Sequence, residues 1–220
     1  MPLRSPYEAA LGERLHELHP TLRRYFTAIP EGYVGFGEGV FAEFGTPRRW
    51  LWPLLRAFET RGVIVATHAR SARFRIVNRT EPTGGHAGHA TAVRVIELPG
   101  GAWRMVDSAA LVRDGVVVDR LGTPRTVAAV FDVEVRDGGL ALTSRKIGIA
   151  LGRLRVRVPS LLAPTVRLSE HYDEVSGLQR VELTIDAPII GRVYGYLGHF
   201  SYGIVREKPD HDRPEPKAAS

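Results

Sequence analysis

Between Thr165 and Val205 the chain alternates. Three runs, T-V-R-L-S-E-H-Y, L-Q-R-V-E-L-T-I and R-V-Y-G-Y-L-G-H-F-S-Y-G-I-V, are separated by turn residues at Glu174–Gly177 and at Ala187-Pro188. Successive side chains leave a strand on opposite faces, so runs of this kind are strands with one face turned inward. In the first run Val166, Leu168, Glu170 and Tyr172 share a face, which makes Glu170 an acid aimed at the core. In the last run Tyr194, Tyr196, Phe200 and Tyr202 share one, and the glycines at 191, 195, 198 and 203 let a long strand coil tightly. This pattern predicts the wall of a curved sheet around a pocket.

Upstream, from Val63 onward, the chain reads as strand after strand, with hairpin signals at Arg113-Asp114-Gly115 and Asp137-Gly138-Gly139. Strands joined by such short turns pair antiparallel, because parallel pairs need long crossovers. About ten strands in one sheet curl or close. The expected fold is α+β, mostly β: a strongly curved antiparallel sheet or barrel of about ten strands with N-terminal helices packed on it. A single domain is expected over 1–206, with a helical part over 5–60 and an antiparallel part over 63–205. The charged, proline-rich stretch 207–220 is expected to be a disordered tail.

The helical part opens on Ser5-Pro6-Tyr7-Glu8, a capping box with proline at the first helical position. Tyr7, Leu11, Leu15, Leu18, Leu22, Phe26 and Ile29 then recur three or four apart as one apolar stripe, which Pro20 divides into two segments. Thr46-Pro47 opens a further helical stretch carrying Trp50, Leu51, Leu54, Leu55 and Phe58, in which Pro53 either kinks the helix or marks its true start. Gly35-Phe36-Gly37-Glu38-Gly39 lacks the strand-turn-helix frame of a dinucleotide fingerprint, so a bent strand or loop packing aromatics is expected.

Composition narrows the partners. The net charge of +6 favours anionic ones, and the absence of cysteine excludes disulfides and thiolate metal sites. No apolar run is long enough to span a membrane, and the N-terminus lacks the apolar core of a signal peptide, so a cytoplasmic protein is expected. No phosphate loop, nucleophile elbow or zinc-helix signature is present, so no cofactor is expected. His86-Ala87-Gly88-His89 offers only two ligands and predicts no metal site.

A set of landmarks recurs in a familiar order: Leu18-His19-Pro20, Trp103-Arg104, Gly138-Gly139-Leu140, Arg145 with Gly148, Pro159 to Pro164, Ser169-Glu170, and Pro188-Ile189-Ile190-Gly191 through Tyr194-Gly195-Tyr196-Leu197-Gly198. Over Leu15 to Phe200 this order resembles the uncharacterised family known as domain of unknown function 4166. Some members of that family sit behind a saccharopine-dehydrogenase-like domain. The resemblance therefore implies small-molecule metabolism and, by association, a dehydrogenase-like partner; it carries no established reaction.

Glu170 is the sharpest candidate. A carboxylate on an apolar face must be hydrogen-bonded, ion-paired or protonated, and Arg145, Lys146, Tyr196 and His199 are the expected partners. One reading is a pocket for a hydrophobic or weakly acidic small molecule. Trp103, Tyr194, Tyr196 and Phe200 give apolar contact there, and Glu170, Arg145 and His199 orient the ligand. A second is a cofactor-independent acid–base enzyme (isomerase, cyclase or hydrolase) in which Glu170 moves a proton with Tyr196 or His199 as counterpart. A third is basic docking on anionic lipid or nucleic acid through the stripe Arg153, Arg155 and Arg157, which also suits a protected strand edge. The lack of interleaved aromatics disfavours nucleic acid, and a homo-oligomer stays open.

Overall fold

The capping box at Ser5 forms as its residues dictate. In a computed structural model of the chain, Ser5 Oγ accepts from the Glu8 amide at 3.0 Å and the Glu8 carboxylate accepts from the Ser5 amide at 3.2 Å. The structure describes residues 3–208 apart from 84, 86, 152, 153, 158 and 160; the side chains of 151 and 154–157 also lie outside the description. The segment over 209–220, where most of the expected tail falls, is outside it too, as are His86 and Arg153.

The described residues form three short α-helices: α1 (Pro6–Leu11), α2 (Pro20–Phe26) and α3 (Trp52–Glu59). The apolar stripe from Tyr7 is split as Pro20 requires, but the stretch Gly12–Glu17 between α1 and α2 winds as a tighter 3-10 helix. His19 caps α2 through Nδ1, which accepts from the Thr21 amide at 3.3 Å, and Pro20 fills the first helical position. Of the two roles open to Pro53, it stands at the start of α3.

Eleven antiparallel strands follow or intervene: β1 (Tyr33–Gly45), β2 (His68–Glu81), β3 (His89–Leu98), β4 (Gly101–Arg113), β5 (Val116–Leu121), β6 (Val127–Arg136), β7 (Gly139–Leu151), β8 (Leu154–Arg157), β9 (Thr165–Asp173), β10 (Leu178–Ala187) and β11 (Gly191–Arg206). Hydrogen bonding runs β6-β5-β4-β3-β2-β1-β11-β10-β9-β7, and β7 pairs back onto β6. The sheet is a closed ten-strand barrel, and β8 is an appendage on the far end of β7. Of the sheet or barrel expected from the sequence, closure is realised. The glycine-rich stretch from Gly32 is strand β1 rather than a loop. The strand expected from Val63 starts only at His68; residues 63–67 bend inward with Val65 buried, and the Thr46 amide donates to Thr67 O at 2.8 Å.

Closure depends on close approach at β1. A Cβ at Gly39 would lie 2.4 Å from the Phe200 Cβ and 2.2 Å from the His199 carbonyl oxygen. A bare backbone there lets the bulky inward residues of β11 cross over β1.

The two mouths are covered differently. At one, Leu11, Leu15, Leu18, Leu22 and Phe26 pack on inward residues of β5 to β7, among them Val117, Phe131 and Leu140. Complete burial of a leucine such as Leu22 contributes about 1.5–3 kcal/mol, so this plug is a large part of the core. It is tied to two hairpin turns by His19 N–H to Gly138 O (2.9 Å) and Gly115 N–H to Ala10 O (2.8 Å). At the other mouth, the excursion between β1 and β2 lays α3 over the rim. Trp103 Nε1–H donates to Glu59 O at 3.4 Å and the Thr123 amide donates to Arg61 O at 2.8 Å.

Candidate functional site

Alternation fixes what faces the lumen. On β3 the inward positions include Ala92, Arg94 and Ile96; on β4, Met105, Asp107 and Ala109; on β5, Val117 and Asp119. Arg94 pairs in register with Met105 and Asp107 with Ala92, so Arg94 and Asp107 are diagonal neighbours, and Asp119 continues the diagonal on the next strand. The Arg94 guanidinium donates to the Asp107 carboxylate. Opposite them, Glu170 on β9 is 4% exposed and accepts from the side-chain amide of Gln179, its diagonal neighbour on β10.

Between these walls lies a cavity of about 330 Å³. Most of its lining is apolar, from Phe44, Met105, Leu142, Ile147, Leu168 and Ile185. Tyr25 of the plug reaches into it, packing edge-on against Tyr202 (ring centroids 4.5 Å apart) and Phe200 (5.9 Å). Asp119 Oδ1 and Gln179 Oε1 are buried and have no hydrogen-bond partner among the described residues.

The enclosure acts on every acid inside it. Burial pushes the Glu170 carboxyl up to about 7; the Gln179 hydrogen bond and the Arg94 charge oppose that rise, and the Asp107 charge adds to it. Burial likewise pushes Asp119 up to about 7, helped by the negative charge of Asp107 and opposed by Arg94 and by backbone N–H groups. Asp107 is raised by burial against the pull of Arg94. Burial holds the phenols of Tyr7, Tyr25, Tyr194 and Tyr196 above their ordinary value. The result is two carboxyls, each raised by burial toward neutrality, inside an apolar chamber beside an ion pair.

Of the candidates read from the sequence, Trp103, Glu170, Tyr194 and Tyr196 line this cavity, and Phe200 packs in the core cluster beside it. Arg145, Lys146 and His199 do not join them. His199 stands between the inward Gly198 and Phe200, so alternation turns it outward, where its Nε2 lies 3.7 Å from Asp173. Arg145 is the extra residue of a bulge where the β6–β7 register shifts between Val130 and Phe131; it points out and pairs with Asp132. Lys146 follows it and is exposed, and the inward phase resumes at Ile147. The counter-cation of the interior is Arg94 instead. Arg94, Asp107, Asp119, Gln179 and Tyr25 are the lumen groups that sequence reading did not single out. For Arg94, Asp107 and Asp119 the signal was a charge between apolar residues of the same phase, as at Glu170.

The backbone of β8 carries Arg155 opposite Ala150 and Arg157 opposite Gly148, while Arg153 and all three side chains lie outside the described residues. No group of three or more His, Asp or Glu is placed to share a metal ion among the described residues. No helix among them is long and apolar enough to cross a membrane.

Comparison with known proteins agrees with the resemblance seen in the residues. The family described as Domain of unknown function (DUF4166) matches over residues 18–200. The uncharacterized protein YndH of Bacillus subtilis (strain 168) is 27% identical over 89 residues, which is 40% of this chain and 43% of that protein. No solved structure matches.

Proposed function

The chain belongs to the DUF4166 family, and from that premise we propose that its barrel binds an apolar small molecule whose polar group rests among Arg94, Asp107, Asp119 and Glu170. The observation that carries this reading is the cavity of about 330 Å³, apolar over most of its wall and polar along one diagonal and the strand facing it. Such a lining is the usual form of a small-molecule site, where apolar contact supplies affinity and a few placed polar groups supply orientation. Asp119 Oδ1 and Gln179 Oε1 are spare acceptors for a ligand's donor.

The weakly acidic ligand expected from the sequence gives way to a neutral one with a hydroxyl or carbonyl head. Arg145 and His199 face outward, and among the described residues the lumen sets three carboxyls, Asp107, Asp119 and Glu170, against the Arg94 guanidinium, so a further anion there meets repulsion. Carboxyls near half-protonation can donate as well as accept, which suits a neutral head.

The test is mass spectrometry of the organic extract of the purified protein, paired with titration of the neutral fluorescent probe phenylnaphthylamine. The unaltered chain is expected to bind the probe, and Ala92→Phe, which fills the lumen, to lose it while keeping a cooperative melt. An unaltered chain that carries no compound and takes up no probe overturns the proposal.

The positions of Glu170 and Asp119 near pH 7 favour one second reading, an acid–base catalyst working without a cofactor in the same chamber. Once a bound compound is known, Glu170→Gln is expected to keep its binding and abolish its conversion; undiminished conversion rejects this reading.

A further inference from the structure

The mouth under α3 is edged with apolar side chains that are largely exposed. Leu161 is 86% exposed, Leu162 68%, Ile189 fully exposed, and Trp50 and Leu54 61% and 63%. They lie close together. Thr165 pairs with Asp186, so the loop before β9, with Leu161 and Leu162, and the β10–β11 turn, with Ile189 and Ile190, leave adjacent strand ends. Arg48 Nε–H donates to Arg192 O at 2.9 Å, which ties the segment before α3 to that same turn.

Ile189 adds a second kind of observation. It sits in the β10–β11 turn at φ 69°, in the left-handed region that a β-branched residue rarely adopts. Glycine or asparagine would occupy that turn without strain. A strained isoleucine with its side chain wholly in solvent contributes nothing to the fold, so its apolar character serves something outside the chain.

Charge says what that is. Arg49, Arg56, Arg167 and Arg192 are exposed around the same rim, with Arg48 beside them; the acids set among them include Asp186, shared by Arg167 and Arg192, and Glu59 of α3. The plugged mouth is mixed: Glu13, Glu17, Asp114, Asp137 and Glu174 are exposed there together with Arg4, Arg14, Arg24, Arg113 and Arg136. Apolar tips in a ring of arginines match a surface with anions outside and hydrocarbon beneath.

We propose that the rim formed by Trp50, Leu54, Leu161, Leu162, Ile189 and Ile190 docks reversibly on an anionic lipid bilayer. The tips enter the acyl boundary while the arginines meet the headgroup phosphates. The wall is interrupted at this end: β8 and β9 pair with successive stretches of β7, and β10 has no pairing with β8 among the described residues. Leu55 and Phe58 of α3, together with Pro164, Ile185 and Val193, line the cavity on this side, so docking sets the lumen's mouth on the membrane. The docking inference rests on exterior residues and stands apart from whether the lumen holds a ligand.

The test is co-sedimentation of the full chain with vesicles of phosphatidylcholine and phosphatidylglycerol in equal parts, and with vesicles of phosphatidylcholine alone. Expected is partitioning onto the mixed vesicles that weakens with added salt and is much weaker on the neutral ones. In the double variant Ile189→Gly with Leu161→Ser, partitioning is expected to fall about tenfold or more while the melting temperature stays level or rises, since glycine relieves the turn. Equal partitioning on both vesicle types, none on either, or no change in the double variant overturns the proposal. So does a dimer by light scattering that the double variant dissolves, which would assign the face to a second copy of this chain. Ala92→Phe separates the two proposals: it is expected to lose the probe and to keep the vesicles.

Discussion

Arg94 on β3 and Glu170 on β9 stand diametrically opposed in the ring, five strands apart by either route. The guanidinium is committed to Asp107, its neighbour on β4, and reaches Glu170 only through its field. The interior thus holds one fixed ion pair and two acids that burial makes keep their protons to higher pH than an ordinary carboxyl.

Stability should fall as pH rises through this window. Glu170 ordinarily ionises at 4.5 but at about 7 in the fold, so the folded state holds the proton that the unfolded state releases. Its contribution is fully present below 4.5 and is lost progressively up to about 7, by at most on the order of 3 kcal/mol. Glu170→Gln removes this titration. The variant is expected to melt close to the unaltered chain at acidic pH and above it at alkaline pH, read by thermal denaturation across a pH series.

Breaking the lumen ion pair from one side should be far worse than removing both partners. Arg94→Met leaves Asp107 buried without its counter-charge and is expected to lose about 3–5 kcal/mol in urea melts. The double variant Arg94→Met with Asp107→Leu should recover much of that loss. A double-mutant cycle showing no coupling would contradict the geometry.

Gly39 and Gly203 should respond in opposite ways to the same change. A Cβ at Gly39 meets the His199 carbonyl at 2.2 Å, a backbone atom that cannot yield, whereas one at Gly203 meets nothing within 4 Å. Gly39→Ala is expected to destabilise by roughly 1–3 kcal/mol or more, and Gly203→Ala to be neutral within about 0.5 kcal/mol.

Ser5 fastens the plug twice. Its Oγ accepts from the Glu8 amide at 3.0 Å and donates to the carbonyl of Phe26 at the end of α2. Ser5→Ala is expected to lose about 1–2 kcal/mol. Hydrogen exchange should rise first at the amides of α1 and α2, ahead of the barrel strands.

Much of this architecture was legible because alternation and turn chemistry are local. The hairpin at Asp137-Gly138-Gly139, the inward phase of Glu170 and the capping box at Ser5 each rest on residues a few positions apart. Closure was not local: the pairing of β6 with β7 is a hairpin like the others, and only the tally of strands, about ten, hinted that the first must meet the last. The lumen cation was missed for a related reason. Strands β3 to β5 carry apolar residues on both faces, as with Met105 and Val106 or Val117 and Val118, so the inward phase of Arg94, Asp107 and Asp119 is ambiguous until the ring is built. Arg145 shares its phase with Ile147 and Ile149, which line the lumen, and only the bulge at Arg145 itself, invisible in the sequence, turns it out. His199 needed no structure: its own strand's alternation already set it opposite Phe200.

A ring has no first or last member, and that shapes how such a chain can recruit company. Sheets commonly extend by lending unpaired backbone groups to a newcomer, yet nine hairpin or crossover partnerships and one seam use up most of that capacity around the circumference. Among the described residues the margins left over are short: the outer side of β8, and the stretches of β2 before Phe74 and of β4 before Asp107, which pair on one side only. A companion molecule must therefore meet this protein through side chains, or settle for a foothold of a few peptide groups beside the lumen's open end.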